Sequence, residues 1–411
     1  MPIRARLLET LSHYDRRFWT LLVVQLIVAV GFGAAMPFVS NYLHSVVGVS
    51  MTYVGTIMLI SGVVSAGGRI MGGEIADRLG RRALLIGGMS ARVLAFALMA
   101  YVIHVQASPA VIGGGFIIVR LIGAVVQPGI SAMVADVVEP SRRVEAYALL
   151  RIGNNAGWAV GPAIGGFLVA TSYASLFLLT AFASLVGLLL IVFLTDESVR
   201  AAEVGQFTLR RVLDVAHDLR FLVFCGWSVL LFLVMGQFSS TLAVFSTAVV
   251  GIAEAQLGLL FTINGVAVVL LQWPAARLSN RIGARWGLAL GCALYALGYF
   301  SVSLASGFPF LIGSMIVITL GEVVFSPTST AAVANMAPAR RIGRYMGLFG
   351  LSEALGWSLG PFVGGILFDA WSATPIALWG TIAAIGIVAA MGFGATTRVG
   401  RGPGEATGEA Q

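Results

Sequence analysis

The feature that most constrains this chain is a series of long apolar runs separated by short polar segments. A helix needs about 20 apolar residues to cross a bilayer, and backbone groups in lipid must be paired within the spanning structure. Runs of this length therefore predict membrane-spanning helices rather than the alternating strands of a barrel. Twelve runs qualify, at approximately 18–42, 52–73, 83–104, 109–134, 145–170, 174–195, 220–247, 256–276, 286–305, 309–334, 344–368 and 375–397.

Charged residues are too scarce for a water-facing surface. They make up 10% of the 411 residues, whereas soluble domains carry about 25%. The high apolar content, 58%, also excludes a disordered chain. The sequence therefore predicts an all-α integral membrane protein with twelve transmembrane helices.

The basic residues mark one side of the membrane. The chain contains no lysine, and its arginines outside the spans cluster at the two ends and in every second loop. Cytoplasmic loops carry such an excess of basic residues. We therefore expect a multi-pass protein of the inner (plasma) membrane with both termini in the cytoplasm. The net charge of +7 then reflects topology, and we expect no nucleic-acid partner.

The two halves of the sequence repeat each other. The segment GWAVGPAIGGFL begins at Gly157, and GWSLGPFVGGIL begins at Gly356. The same offset aligns Pro128 with Pro327. Duplicated halves in a transporter place the binding site between them near the membrane midplane. We predict four regions: an N-terminal six-helix bundle (1–195), a cytoplasmic linker (196–219), a C-terminal six-helix bundle (220–397) and a disordered cytoplasmic tail (398–411).

The loop between predicted helices 2 and 3 reads GGEIADRLGRRALL from Gly72, and a degenerate second copy of its centre begins at Ser279. It resembles the signature loop of the major facilitator superfamily. The resemblance implies two pseudo-symmetric six-helix bundles that transport by alternating access. It also implies a conformational switch in which charge pairs form and break as the halves move; the alternative is a static basic loop that sets topology. The switch residues would be Gly73, Asp77, Arg78, Gly80 and Arg81, together with Asp136 at the cytoplasmic end of helix 4.

Predicted helix 5 carries small residues at every fourth position. Such a stripe allows close backbone approach between helices in a membrane, and the proline within it favours a kink. Tight packing alone explains this pattern as well as function does. The pattern also resembles the antiporter motif of drug/proton exchangers in the superfamily, which favours export. The residues are Gly153, Gly157, Gly161, Pro162 and Gly165.

Five ionisable residues lie inside predicted spans: Arg92, Arg120, Arg151, Glu322 and Glu353. Each costs roughly 3 kcal/mol to insert into the membrane when it is unpaired. We expect them to pair or to face a wet cavity. Within the family resemblance, helices 4 and 10 line the central cavity, so Arg120 and Glu322 are candidates for proton and substrate coupling. Glu353 joins them because its repeat partner is the uncharged Asn154. Arg151 lies near a helix end, where its side chain can reach the interface. Further polar cavity candidates are Gln25, Arg92, Gln127 and Asn154.

These features predict a secondary active transporter. The leading hypothesis is a proton-coupled multidrug efflux antiporter for hydrophobic or cationic small molecules, acting as a monomer in the lipid bilayer. The alternative is a proton symporter or facilitator for a small metabolite such as a sugar or amino acid. A different class is a non-transporting membrane sensor or scaffold. The sequence has no nucleophile elbow, phosphate loop or histidine cluster, so we predict no enzyme activity, no cofactor and no metal site.

Overall fold

The computed structural model describes residues 14–198, 217–338 and 341–396, and within these ranges the side chains of Val144 and Asn280 are not described. All regular secondary structure in the described residues is helical, with no strand. This confirms the all-α prediction. Most of the predicted linker (196–219) and the whole predicted tail (398–411) lie outside the described residues.

Long helices follow one another with short connections. Nine helices among the described residues are long and apolar enough to cross a membrane. In chain order the helices are α1 (Arg16–Asn41), α2 (Met51–Leu79), α3 (Arg81–His104), α4 (Pro109–Val137), α5 (Arg143–Val169), α6 (Tyr173–Leu194), α7 (Leu219–Met235), α8 (Thr241–Val244), α9 (Glu254–Val302), α10 (Phe308–Met336), α11 (Ile342–Trp371) and α12 (Pro375–Thr396).

The sequence repeat is also a repeat of backbone geometry. A π-helical turn follows α1 at Tyr42–Val46, and another follows α8 at Phe245–Val249. Positive φ angles occur at Gly80 (96°) and at its counterpart Gly283 (79°). Gly283 interrupts α9, so that α9 contains both predicted helices 8 and 9. Within the described residues, the predicted twelve helices in two related halves correspond to α1 to α6, α7 together with α8, the two parts of α9, and α10 to α12.

The sequence predicted helix 7 as one continuous span at approximately 220–247. The structure instead divides this span, because a turn separates α7 from α8. The Gln237 side chain occupies this turn. Its amide nitrogen donates to the carbonyl oxygens of Leu233 (3.1 Å) and Gly360 (2.9 Å). Its amide oxygen accepts a 2.7 Å hydrogen bond from the Thr241 hydroxyl. The side chain thus supplies polar partners where the regular helix ends.

Contacts divide the chain into two compact units. Unit 1 consists of Met1–Val49, Thr56–Gly205 and Ala253–Gly265, and unit 2 consists of Ser50–Gly55, Gln206–Ile252 and Val266–Gln411. Each unit thus includes a short segment from the other half of the sequence. As a result, α2 begins in unit 2 and continues in unit 1, while α9 begins in unit 1 and continues in unit 2.

The helices of unit 1 pack around a buried apolar cluster that includes Phe18, Leu85 and Met133, each almost fully buried. Asp15 immediately precedes α1 as its N-cap, and its carboxylate accepts a hydrogen bond from the backbone N–H of Arg17 (2.9 Å). The Arg17 side chain also hydrogen-bonds this carboxylate and holds the pKa of Asp15 below its ordinary value. A carboxylate at this position stabilises the positive end of the helix dipole.

The core of unit 2 is aromatic. Tyr299 and Trp379 stack with ring centroids 5.6 Å apart, and both side chains are fully buried. Phe232 meets Phe325 edge to face at 5.9 Å. Aromatic pairs in these orientations are favourable beyond their buried area. They connect α7, α9, α10 and α12 within the unit.

Candidate functional site

Unit 1 contains a cavity of about 650 Å³ lined by α1 to α5. One wall carries an amide pair, in which the Gln25 side chain donates a 3.0 Å hydrogen bond to the side-chain oxygen of Asn154. Gln127 also lines the cavity, and so do the aromatic rings of Phe32 and Trp158. The cavity combines polar amides with apolar surface, as ligand sites usually do.

The same cavity holds four arginines. Arg92, Arg120 and Arg151 were expected from the sequence to lie within spans, and the structure brings them together with Arg69, which the sequence analysis did not single out. Arg92 is the most deeply buried, with 6% of its surface exposed. Its guanidinium lies 5.2 Å from the centre of the Phe96 ring, and that of Arg120 lies 5.8 Å from the Phe32 ring.

Glu322 and Glu353, the predicted coupling carboxylates, belong to unit 2. Glu322 is half-buried on α10, and its charge acts on the phenol groups of Tyr295 and Tyr299. Glu353 is exposed on α11. The coupling role of these two carboxylates stays a prediction.

Three of the predicted switch residues, Asp77, Arg81 and Asp136, are in contact with one another through Arg81. Buried Arg81 forms ion pairs with Asp77 through Nη2 (3.3 Å) and with Asp136 through Nε (3.1 Å). Its Nη1 also donates to the carbonyl oxygen of Ala76 (3.3 Å). Arg78, by contrast, pairs with Glu74 at the surface. The structure thus places Arg81 between carboxylates from α2 and α4, and the switching role stays a prediction.

Glu197 extends this cluster and was not expected from the sequence. Its carboxylate accepts hydrogen bonds from the backbone N–H groups of Arg81 (2.9 Å) and Arg82 (3.2 Å) at the start of α3. The Arg82 side chain in turn donates to the carbonyl oxygen of Thr195 (2.8 Å). A carboxylate at a helix N-terminus satisfies backbone donors that the helix leaves open. Glu197 therefore joins the segment after α6 to the loop motif.

Two glycines of the motif have different surroundings. Gly80 has a φ angle of 96°, which an L side chain rarely adopts, and a Cβ there would lie 2.7 Å from the Glu197 carboxylate. Gly73 has open space where a Cβ would lie. Glycine is therefore required by the backbone at position 80, whereas position 73 has no such requirement.

The glycine stripe of α5 packs directly on α1. A Cβ on Gly157 would lie 2.8 Å from the backbone nitrogen of Val30, and one on Gly161 would lie 2.6 Å from the Val30 carbonyl oxygen. Gly153 and Gly165 also face α1, and Pro162 lies within the same helix. The matching stripe on α11 packs on α7. Close helix packing therefore accounts for the stripe, and a role in antiport stays a prediction.

Two further carboxylates have comparable roles in the two units. Glu254 accepts hydrogen bonds from the Tyr173 hydroxyl (2.6 Å) and the Asn41 amide (3.1 Å) within unit 1. Asp369 accepts from the backbone N–H groups of Met51 (2.9 Å) and Thr52 (2.8 Å) within unit 2. Each joins a unit to the segment that it receives from the other half of the sequence. Their partners are far away in sequence, so no local pattern indicates them.

Among the described residues, no group of three or more His, Cys, Asp or Glu side chains is placed to hold a metal ion. Cys225 and Cys292 are buried as free thiols. The polar groups that line the cavity are guanidinium, amide and hydroxyl groups, the hydroxyls being those of Ser65, Ser131 and Tyr147.

The sequence profile of the family described as Major Facilitator Superfamily matches residues 21–251 and 219–410, which together cover nearly the whole chain. The chain belongs to the major facilitator superfamily. This confirms the resemblance drawn from the loop motif. Superfamily members are membrane transporters of small molecules rather than enzymes, so the chain is a multi-pass membrane transporter.

Similar proteins include several bacterial transporters. The chain is 26% identical to the uncharacterized MFS-type transporter YttB of Bacillus subtilis (strain 168) over 85% of this chain and 88% of that protein. It is 28% identical to the multidrug resistance protein MdtH of Edwardsiella ictaluri (strain 93-146), over 85% and 86% of the two chains. MdtH of Cronobacter sakazakii (strain ATCC BAA-894) is also 28% identical, over 89% and 90%.

Solved superfamily structures share the fold. The nucleoside transporter NupG superposes with a TM-score of 0.77 at 15% identity, covering 93% of this chain and all of NupG. The peptide transporter POT in complex with sulfate gives a TM-score of 0.75 at 17% identity, covering 92% and 94%. At these identities the likeness establishes the major facilitator fold and leaves the substrate to be argued from the site.

Proposed function

We propose that this transporter is a proton-coupled efflux antiporter that exports hydrophobic small molecules across the inner membrane by alternating access. The observation that carries the proposal is the cavity of about 650 Å³ in unit 1, lined by aromatic rings and polar amides. A cavity of that size accommodates a drug-sized molecule. The relatives called multidrug resistance protein MdtH, similar over most of both chains, support export.

Glu322 is our candidate for the proton-coupling residue, with Glu353 second. A carboxylate within a spanning helix is costly and marks proton or ion pathways. Glu322 fits this role better because it is half-buried beside buried tyrosines, while Glu353 is exposed. The charge cluster of Asp77, Arg81 and Asp136 would act as the conformational switch.

The sequence also predicted cationic substrates. The four arginines of the cavity oppose a cation there, because like charges repel strongly in a poorly hydrated site. We therefore restrict the proposal to hydrophobic compounds without a net positive charge. Proton coupling, a monomeric state and cytoplasmic termini remain part of the proposal.

Everted membrane vesicles from a host stripped of its own exporters test the function. The inside of such vesicles is acidified by respiration, and a pH-sensitive dye inside them reports proton leak when a compound is added. An antiporter gives substrate-dependent proton release, and Glu322→Gln abolishes it while the exposed-residue control Glu139→Gln keeps it. Movement of substrate and protons in the same direction across the vesicle membrane would instead establish the symporter alternative.

A further inference from the structure

The cavity of unit 1 is lined by several positively charged side chains. Four guanidinium groups line it, and the described residues around it include no aspartate or glutamate. None of the four forms an ion pair with a carboxylate within the described part of the chain. The cavity therefore concentrates positive charge that these side chains do not neutralise. The four residues are Arg69, Arg92, Arg120 and Arg151.

Arg92 is the cavity arginine whose polar atoms are least satisfied by the described side chains. Only 6% of its surface is exposed, and its Nε and Nη2 atoms are buried without a hydrogen-bond partner among the described residues. A Cβ on residue Gly123 would lie only 2.9 Å from the third nitrogen, Nη1. The absence of a side chain at Gly123 therefore leaves room for the guanidinium. Phe96 contacts it through the ring face, at 5.2 Å. A buried charged group without hydrogen bonds is costly, and a bound anion removes that cost.

Arg120 reinforces the same conclusion from a second helix. Its guanidinium lies 5.8 Å from the centre of the Phe32 ring, and the charge of Arg69 acts on it repulsively. The Ser65 hydroxyl, on α2, donates to the backbone oxygen of Arg120 at 3.5 Å, and Arg120 itself lines the cavity. Two like charges that line the same cavity favour an opposite charge within it.

We infer that this cavity binds a small organic anion: a carboxylate, sulfonate or phosphonate group attached to an apolar body. Guanidinium groups bind such oxyanions through paired hydrogen bonds. The rings of Phe32 and Trp158 and the side chain of Met89 supply surface for the apolar body. The Gln25–Asn154 amide pair supplies further polar contacts. This inference rests on the proposed function in one respect, since it assigns the substrate class of the same site.

A matched pair of fluorescent probes tests the charge preference. Dansylglycine carries a carboxylate, dansylcadaverine carries an ammonium, and both contain the same apolar fluorophore. Each is titrated into the purified full chain in a neutral maltoside detergent, with protein-free micelles as background. We expect saturable binding of dansylglycine that excess naphthalene-2-sulfonate reverses, and no saturable binding of dansylcadaverine. Saturable binding of dansylcadaverine alone would overturn the inference.

Variants assign the binding to the arginines. Arg120→Gln and Arg92→Gln remove one charge each, and we expect each to weaken dansylglycine binding about tenfold or more. Arg277, exposed and stacked 3.5 Å from the Trp273 ring in unit 2, provides the control, and Arg277→Gln leaves the affinity unchanged. Arg92→Lys keeps the charge and checks that any loss in Arg92→Gln is not a folding defect. Wild-type affinity in both Arg92→Gln and Arg120→Gln would refute the site.

An anionic lipid headgroup offers the same oxyanion chemistry from a different source. The titration is therefore repeated after addition of phosphatidylglycerol or, separately, inorganic phosphate. If naphthalene-2-sulfonate and dansylglycine displace each other, but phosphatidylglycerol and phosphate displace neither, the result supports a small organic anion as the ligand of the cavity. Displacement of dansylglycine by phosphatidylglycerol at trace concentrations would show that the arginines hold lipid, and would overturn the inference.

Transport measurements separate the inference from the proposed function. Proton-driven export of neutral compounds, without binding of dansylglycine, would uphold the antiporter and overturn the anion site. Saturable, arginine-dependent binding of dansylglycine without any proton-coupled movement would uphold the anion site and overturn the antiporter. The two ideas thus fail in different assays.

Discussion

Arg81 and Arg78 lie three residues apart in the loop motif, but their surroundings differ. Arg81 is buried and pairs with two carboxylates on different helices, whereas Arg78 pairs with Glu74 on the surface of the same helix. Surface pairs contribute little because water and ions screen them. The removal of a buried partner leaves charges uncompensated. The two arginines therefore offer a matched comparison within one motif.

We predict that Arg81→Gln lowers the free energy of unfolding by about 2–3 kcal/mol, because Asp77 and Asp136 lose the charge between them. Arg78→Gln should change it by less than about 0.5 kcal/mol. Thermal unfolding of both variants in the same detergent measures the difference. Equal midpoints for the two variants would contradict the packing described for Arg81.

The two motif glycines support a second comparison. Gly80→Ala places a side chain at a φ angle of 96° and a ψ angle of 154°, a conformation that essentially only glycine adopts, and should destabilise the protein by roughly 1–3 kcal/mol from backbone strain alone. Gly73→Ala fills open space inside α2 and should be neutral or stabilising by about 0.5–1 kcal/mol. Unfolding midpoints check both, and a Gly73→Ala variant less stable than Gly80→Ala would be inconsistent with the geometry.

At the scale of elements, α5 depends on contact with the backbone of α1. A Cβ at Gly161 would lie 2.8 Å from the nitrogen of Ala34, and a backbone atom of a spanning helix has little freedom to move aside. We predict that Gly161→Ala costs about 1–3 kcal/mol through overpacking. Gly114 on α4 has no atom within 4 Å of its Cβ position, so Gly114→Ala is the control and should leave the thermal midpoint unchanged or raise it slightly.

Most helices could be predicted from the sequence, because an apolar run long enough to cross a membrane is a local signal. The sequence repeat is also a local signal, and the second copy of the loop motif aligns Gly80 with Gly283. The break after α7 was not predicted, since it depends on the Gln237 side chain reaching the carbonyl oxygen of Gly360 on α11. Sequence alone does not report such distant contacts.

The candidate site was predictable only in part. Arg92, Arg120 and Arg151 are conspicuous because charge is rare inside spans. Arg69 lies near the end of a predicted span, where an arginine ordinarily marks topology, so its place in the cavity emerges only from the structure. Glu197 was missed because the backbone donors that it satisfies, those of Arg81 and Arg82, belong to a helix three spans earlier in the sequence.

At the scale of the molecule, neither unit consists of one continuous piece of chain. Unit 1 includes Ala253–Gly265 from the second half of the sequence, and unit 2 includes Ser50–Gly55 from the first. Hydrogen bonds to Glu254 and Asp369 hold these segments in place. Both segments lie at the beginning of long helices. The division into halves seen in the sequence therefore differs from the division into packed units.

We predict that fragments 1–205 and 206–411 form a stable, transport-competent protein only when they are co-expressed. Each fragment alone lacks a segment of its own unit and should aggregate or be digested by added protease. Size-exclusion chromatography in detergent and limited proteolysis give the readout. A monodisperse, protease-resistant fragment 1–205 on its own would contradict this prediction.

The exchange of segments also has a consequence for how the protein is made. During synthesis the chain emerges from its first residue onward, so Asn41 and Tyr173 enter the membrane long before Glu254 exists. Helices α1 to α6 are therefore synthesised before the beginning of α9, the segment that completes the packing of their unit. An insertion chaperone that held the early helices during this interval would contribute most between the synthesis of α6 and that of α9.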